Sequence, residues 1–293
     1  MGQARQALAG PLRAGLAASA PAELKEIESQ LDRAGRAVAT GDSVGLAASR
    51  GTITAALRRG AFNRAIALTA AGRAAAAREW LQIRDFRQST RFTRVGTVAT
   101  DSLIELAQGD ATPAEAVIQV RKDLLDTYQS RLGTNREEAE KAADRGFPER
   151  LAETSAIVDG YWQILAEEYR HQRGAAAAKK TSREFRQLAA AGAAADVNAF
   201  RAADRATVND LDGFTAAPFT DEEQARRAAQ LTRFLDLIPK EYDHGTDDGR
   251  ITIPFELQEA TAFDDGVEQA FSDLKSDLTE RDPAAVEAIE QDL

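Results

Sequence analysis

The sequence predicts an all-α protein, a multi-helix bundle with short loops. Three observations carry that expectation. Apolar residues recur at helical spacing along most of the chain, helix-start signatures precede several of these runs, and strand signals are nearly absent. Alanine is abundant and aromatic residues make up only 6% of the chain, so the core has to come from closely packed helices with small contact residues.

The elements follow in order. Leu8 to Pro21 is rich in Ala, Gly and Leu and includes Ala18-Ser19-Ala20, which looks like a cleavage site, but Arg13 interrupts the apolar run. Residues 1–22 therefore read as a flexible N-terminal segment, with a secretion signal absent from the chain as given, and 23–293 as the helical bundle. Glu23 to Val38 opens after Pro21 with apolar residues at helical spacing, and Ser43 to Arg59 and Phe62 to Phe86 read as two more helices. Thr112-Pro113-Ala114-Glu115 is a helix start, with Thr112 as N-cap, Pro113 in the first turn and Glu115 in reach of a capping box. A further helix follows Pro148 and stops near Gly174, and Thr181 to Ala191 and Asp196 to Leu211 add two. Thr220-Asp221-Glu222-Glu223 is a second capping signature, and its helix is expected to end at Pro239. Ile251-Thr252-Ile253 is the one convincing extended triplet, too short to imply a sheet. Phe255 to Leu278 is the last long helix, and Asp282-Pro283 starts a short terminal one. Residues 213–218 form the best internal boundary.

Composition excludes several functions. The formal net charge is −10, with 47 acidic against 37 basic residues, which argues against nucleic acid as a partner because phosphate binding needs a basic face. The chain has no cysteine, so disulfides, thiolate metal sites and cysteine nucleophiles are excluded; its single methionine is Met1, which excludes a thioether copper site. No run reaches the roughly 18–20 apolar residues of a membrane span, so no transmembrane segment is expected. No nucleophile elbow frames a serine, and no glycine loop is built to cradle phosphate.

The sharpest chemical signal is that both histidines close the same tetrapeptide frame, Glu168-Tyr169-Arg170-His171 and Glu241-Tyr242-Asp243-His244. On a helix, residues three apart share a face and can converge on one ion, and a carboxylate with an imidazole suits iron, manganese, zinc or copper. The same frames also form ordinary surface ion pairs. Helical phase adds more candidates. On the last long helix Glu256 falls on the stripe of Phe263, Val267, Phe271, Leu274 and Leu278, and Glu259 lies at its edge. Glu168 points inward with Val158, Tyr161 and Leu165. A carboxylate facing a core needs an arginine, a metal or a proton. Arg121 lies between Val117 and Leu124, so a buried pair of Arg121 with Glu256 or Glu259 competes with metal ligation. Arg84, Arg87, Arg91 and Arg94 would line one face if their helix continued, as an anion site or as partners for the protein's own acids.

Several longer strings carry a resemblance: Arg78-Glu79-Trp80-Leu81, Arg84-Asp85-Phe86-Arg87, Asp123-Leu124-Leu125-Asp126-Thr127-Tyr128-Gln129, Gly213-Phe214-Thr215-Ala216-Ala217-Pro218-Phe219, and Pro254-Phe255-Glu256-Leu257-Gln258-Glu259-Ala260. Together they resemble the soluble domain attached to many bacterial members of the high-affinity iron permease family. The resemblance implies an extracytoplasmic helical domain, in the periplasm or cell envelope, that works beside a membrane iron permease domain or subunit. The permease proper carries Arg-Glu-x-x-Glu motifs on hydrophobic helices; nothing here is hydrophobic enough, so this chain is not expected to transport by itself.

Three functions follow as expectations. The first is a domain that binds iron and presents it to the permease, with Glu168, His171, Glu241, His244, Glu256 and Glu259 as ligands and Asp243, Asp247 and Asp248 as second choices. The second is a helical scaffold or sensor that docks to an envelope transporter without metal, its charges satisfied as ion pairs. The third, and least, is a di-iron ferroxidase, since paired Glu-x-x-His frames occur in carboxylate-bridged bundles; a non-enzymatic role is favoured.

Overall fold

The computed structural model describes residues 2–86 and 98–292. Among these residues there are thirteen α-helices and one two-stranded hairpin, as the periodicity and caps predict. They form two compact units, and the chain passes from the first to the second between Ala217 and Pro218.

The first unit holds α1 (Gly2–Leu8), α2 (Pro11–Ser19), α3 (Pro21–Thr40), α4 (Ser43–Ala70), α5 (Ala74–Leu81), α6 (Val98–Gln108), α7 (Pro113–Asp144), α8 (Pro148–Arg173), α9 (Ala175–Ala193) and α10 (Val197–Leu211). Side chains start several of them where the sequence places caps. The Asp42 carboxylate accepts from Gly45 N, Asp196 accepts from Ala199 N, and Thr112 and Glu115 form a reciprocal capping box. The core centres on α7 and α8. Tyr128, Tyr161, Trp162, Phe185 and Phe200 are fully buried, and Trp162 stacks on Phe185 with ring centroids 4.8 Å apart. Alanine and glycine let α4 and α8 come close: a Cβ at Gly160 would lie 2.1 Å from that of Ala55.

Two expectations for this unit are corrected. Within 1–22, expected to be a loose segment, Gly2–Leu8 and Pro11–Ser19 are α1 and α2, and the fully buried Leu16 packs with Ile27 and Ala56 to hold them. The chain also breaks after Ala70, not near Gly60. Gly60 stays helical because its missing side chain admits Leu16, whereas Gly72 takes the left-handed φ of 69° that turns the chain.

The second unit, from Pro218 on, comprises α11 (Asp221–Gly245), the strands β1 (Thr246–Asp247) and β2 (Arg250–Ile251), α12 (Pro254–Arg281) and α13 (Pro283–Asp292). α11 and α12 fold back on each other around Phe234, Phe263 and Val267, flanked by Leu231, Leu237 and Ile238. Arg227 and Asp273 form an ion pair between them, and the Arg227 guanidinium lies 3.9 Å from the Phe219 ring centroid. α11 does not stop at Pro239 as expected. The apolar stripe of Leu231, Phe234 and Ile238 pulls the helix along α12, and that packing outweighs the one backbone bond that proline removes.

Candidate metal centre

The continuation of α11 past Pro239 is what builds the centre. It carries Glu241 and His244 into the helix's last two turns. The chain then reverses through the hairpin, where Asp248 and Gly249 both have positive φ, 49° and 72°, the backbone of a tight two-residue turn. The Gly245 carbonyl accepts from the backbone N–H groups of Thr252 and Ile253 at 2.9 and 3.2 Å and ties the returning chain to the helix end. Glycine at 245 eases this close approach, because a Cβ would sit 3.1 Å from Leu257 N and 3.2 Å from Glu256 Cβ and the neighbouring chain would have to give way. α12 therefore starts against the end of α11, with Glu256 in its first turn and Glu259 one turn on.

This geometry brings Glu241, Glu256 and Glu259 together, with one carboxylate oxygen from each lying within 4.8 Å of the others. All three side chains are half-buried. It is the one group of three or more potential ligands among the described residues. Crowding three acids has a cost, visible at Glu241: its carboxyl is held above the ordinary range, first by a hydrogen bond shared with Glu256, then by burial and by the charges of Glu256 and Glu259, with His244 opposing. His244 is exposed, and its Nδ1 lies 4.0 Å from Glu241 Oε2. Three carboxylates make an oxygen donor set for a hard cation, and an imidazole at the rim extends it toward transition metals. Asp243, Asp247 and Asp248 are exposed and lie outside the group.

The other predicted ligands belong to the first unit. His171 Nδ1 lies 3.9 Å from Glu168 Oε2, and Glu168 also faces Arg121 at 3.8 Å. The proposed pairing of Arg121 with Glu256 or Glu259 is corrected. Arg121 instead faces Glu167 at 3.4 Å as well as Glu168, because α7 and α8 pack side by side, and it is half-exposed where the apolar stripe predicted burial. Arg84 lies beyond the end of α5; it donates to Thr100 Oγ1 at 3.2 Å and covers the Phe86 ring. Arg87, Arg91 and Arg94 lie outside the described residues.

Sequence reasoning missed a buried polar cluster of the first unit. Asp85 is buried and paired with Arg58 at 2.9 Å and Arg131 at 3.2 Å, and the Tyr161 hydroxyl donates to it. The Tyr161 bond and the two guanidinium groups outweigh burial and hold the Asp85 carboxyl below its usual range. Only the fold assembles this cluster, from α4, α7, α8 and the residue stretch after α5. A local signal was available for another site: Arg136-Glu137-Glu138-Ala139-Glu140 on α7 has the Arg-Glu-x-x-Glu spacing. Arg136 Nε donates to the buried Asp204 at 2.6 Å, Glu138 pairs with Arg150, and Glu137 and Glu140 are exposed.

An all-α fold in two units, with facing carboxylates on the second, defines an acidic helical protein with a candidate cation centre. Residues 1–210 match the family model described as the iron permease FTR1 N-terminal domain, and residues 218–293 match the iron permease-associated 4-helix bundle domain. The chain thus belongs to the iron permease FTR1 family. No curated protein and no solved structure matches it. No helix among the described residues is long and apolar enough to cross a membrane.

Proposed function

We propose that this chain is an extracytoplasmic iron-binding domain that captures iron and presents it to a membrane iron permease. The observation that carries the reading is the convergence of Glu241, Glu256 and Glu259 at the joint of α11 and α12. An iron ion would relieve the repulsion among the three converging carboxylates. His244 supplies a nitrogen donor at the rim, and family membership makes iron the cargo to test first. Glu168 and His171 leave the ligand set, since Arg121 faces that carboxylate. Membrane transport itself is assigned to the partner.

Calorimetric titration of the tag-free chain with ferrous iron under anaerobic conditions, and with a soluble ferric chelate, tests the reading. Glu256→Gln with Glu259→Gln is expected to lower affinity by at least about tenfold, since each lost carboxylate removes a charged ligand. Glu137→Gln with Glu140→Gln on α7 is expected to leave affinity unchanged. Equal affinity in the wild type and the Glu256, Glu259 variant removes the centre from the reading.

A second reading keeps the same geometry without metal. The Glu241 carboxyl is held above its ordinary range beside Glu256, which eases the crowding of the three acids without an ion. Absence of iron binding by the wild type selects this reading. Oxygen consumption on addition of ferrous iron would move the assignment to a ferroxidase.

A further inference from the structure

α11 is a 25-residue helix, yet among the described residues Phe234 is its one buried side chain. Its neighbour α12 buries Ala260, Phe263, Val267, Ala270, Phe271 and Leu274. The apolar residues left over on α11 are not scattered. Ala228, Leu231, Leu235, Ile238 and Tyr242 follow one another at alternating steps of three and four, the spacing that keeps an apolar seam facing a neighbouring helix. Beside Phe234 they widen the apolar stripe to that of a helix with two neighbours, and α12 supplies one of them. Leu235 is 51% and Tyr242 53% exposed, Ala228 is exposed, and Leu231 and Ile238 are half-buried. Apolar side chains lined up and left open in this way mark an interaction surface. The match to an iron permease-associated 4-helix bundle domain covers residues 218–293, where the described residues supply two long helices and the ten-residue α13.

We propose that this seam is the interface with a second copy of the chain, the two α11 helices pairing antiparallel so that two α11–α12 hairpins make one four-helix bundle. The order of side chains along the seam fits a copy of itself. Leu235 stands at the centre, with Ala228 seven residues before it, Tyr242 seven after it, and Leu231 and Ile238 on either side. A two-fold axis at Leu235 sets it against the partner's Leu235, the large Tyr242 over the partner's small Ala228, and Leu231 beside the partner's Ile238. Parallel pairing would set Tyr242 against the partner's Tyr242 and leave a gap at Ala228. It would also bring together the acidic ends that carry Glu241, Asp243, Asp247 and Asp248. Two hairpins joined as a four-helix bundle cover a stripe that neither covers alone. The pairing does not depend on iron.

Sedimentation equilibrium of the full chain over a concentration series tests the proposal. A reversible rise from 31.6 kDa toward twice that mass is expected. Leu235→Glu sets two carboxylates across the axis and is expected to weaken association by at least about tenfold. The side chain is half open to solvent, so the variant folds, and circular dichroism checks its helices. The chain has no cysteine, so single cysteines report the geometry directly. Leu235→Cys is expected to give a disulfide-linked dimer under mild oxidation, whereas Arg233→Cys, on the opposite face of α11, is not. Tyr242→Cys is expected to cross-link to Ala228→Cys faster than to itself. Any of four results overturns the proposal: a chain that stays at 31.6 kDa throughout, a Leu235→Glu variant that associates like the wild type, Arg233→Cys cross-linking as readily as Leu235→Cys, or Tyr242→Cys linking to itself as readily as to Ala228→Cys.

Discussion

At the scale of single residues, the charges under most constraint lie inside the first unit. Burial pushes the Asp159 carboxyl from 3.8 up to about 6, with the Gln163 hydrogen bond and the Arg59 and Arg186 charges opposing it. A carboxyl raised in the folded state contributes stability that is fully present below its unfolded value and is lost as pH rises through about 6. Asp159→Asn, which keeps the side chain neutral, is therefore expected to raise stability at pH 7.5 by up to about 3 kcal/mol and to change it little at pH 4, read from urea denaturation at both values. Asp85 has the opposite sign. Its carboxyl is lowered, so its contribution is present at neutral pH and is lost as pH falls through the carboxylate range. Asp85→Asn leaves Arg58 and Arg131 without their carboxylate and should cost about 2–3 kcal/mol at pH 7 in the same assay. Arg121→Met should cost no more than about 1 kcal/mol, because its pairs with Glu167 and Glu168 are open to solvent.

At the scale of elements, the decisive pieces are the starts and ends of helices. Thr220 opens α11 by accepting from Glu223 N, while the Glu223 carboxylate accepts from Thr220 N at 2.7 Å. Thr220→Val is expected to cost about 1 kcal/mol and to speed amide exchange in the first turn of α11 without reaching Glu241. The other end of α11 is less tolerant. Gly245→Val would force Leu257 and Glu256 away and part the two helix ends, so iron affinity should fall even though all three glutamates remain. Retained affinity in that variant would show that the carboxylates do not depend on this joint. Gln129 fixes the stretch after α10: its amide donates to Phe214 O at 2.8 Å and its carbonyl accepts from Ala216 N at 2.6 Å. That bond pair makes the end of the first unit an ordered strap on α7.

At the scale of the whole molecule, each unit has its own core. The first is built around Trp162, Tyr128, Tyr161 and Phe185, the second around Phe234, Phe263 and Val267. A chain ending at Ala217 is expected to keep its helical circular dichroism and a cooperative thermal transition, because the residues that pack its core all precede that point. Loss of cooperativity would show that the first unit needs the second to fold. Residues 218–293 alone bury far less apolar surface and are expected to be only marginally stable.

The sequence by itself determined the all-α fold, because capping residues and helical spacing act within a few positions of each other. Thr112 with Glu115, Thr220 with Glu223, and the prolines at 113, 148 and 283 start helices where local chemistry places them. It also marked Glu241, Glu256 and Glu259, through a Glu-x-x-His frame and through helical phase. Only the tertiary structure decided which candidates meet. Glu241 and Glu256 lie far enough apart in sequence that their approach depends on the Asp248-Gly249 turn and on the space left at Gly245, and periodicity carries no information about either. Arg121 took Glu167 and Glu168 as partners for the same reason: helical phase reports which side of α7 a residue faces, while the packing of α8 decides what stands opposite. The N-terminal helices and the passage of α11 through Pro239 were likewise settled by burial, since Leu16 and Ile238 gain more from packing than local signals can oppose.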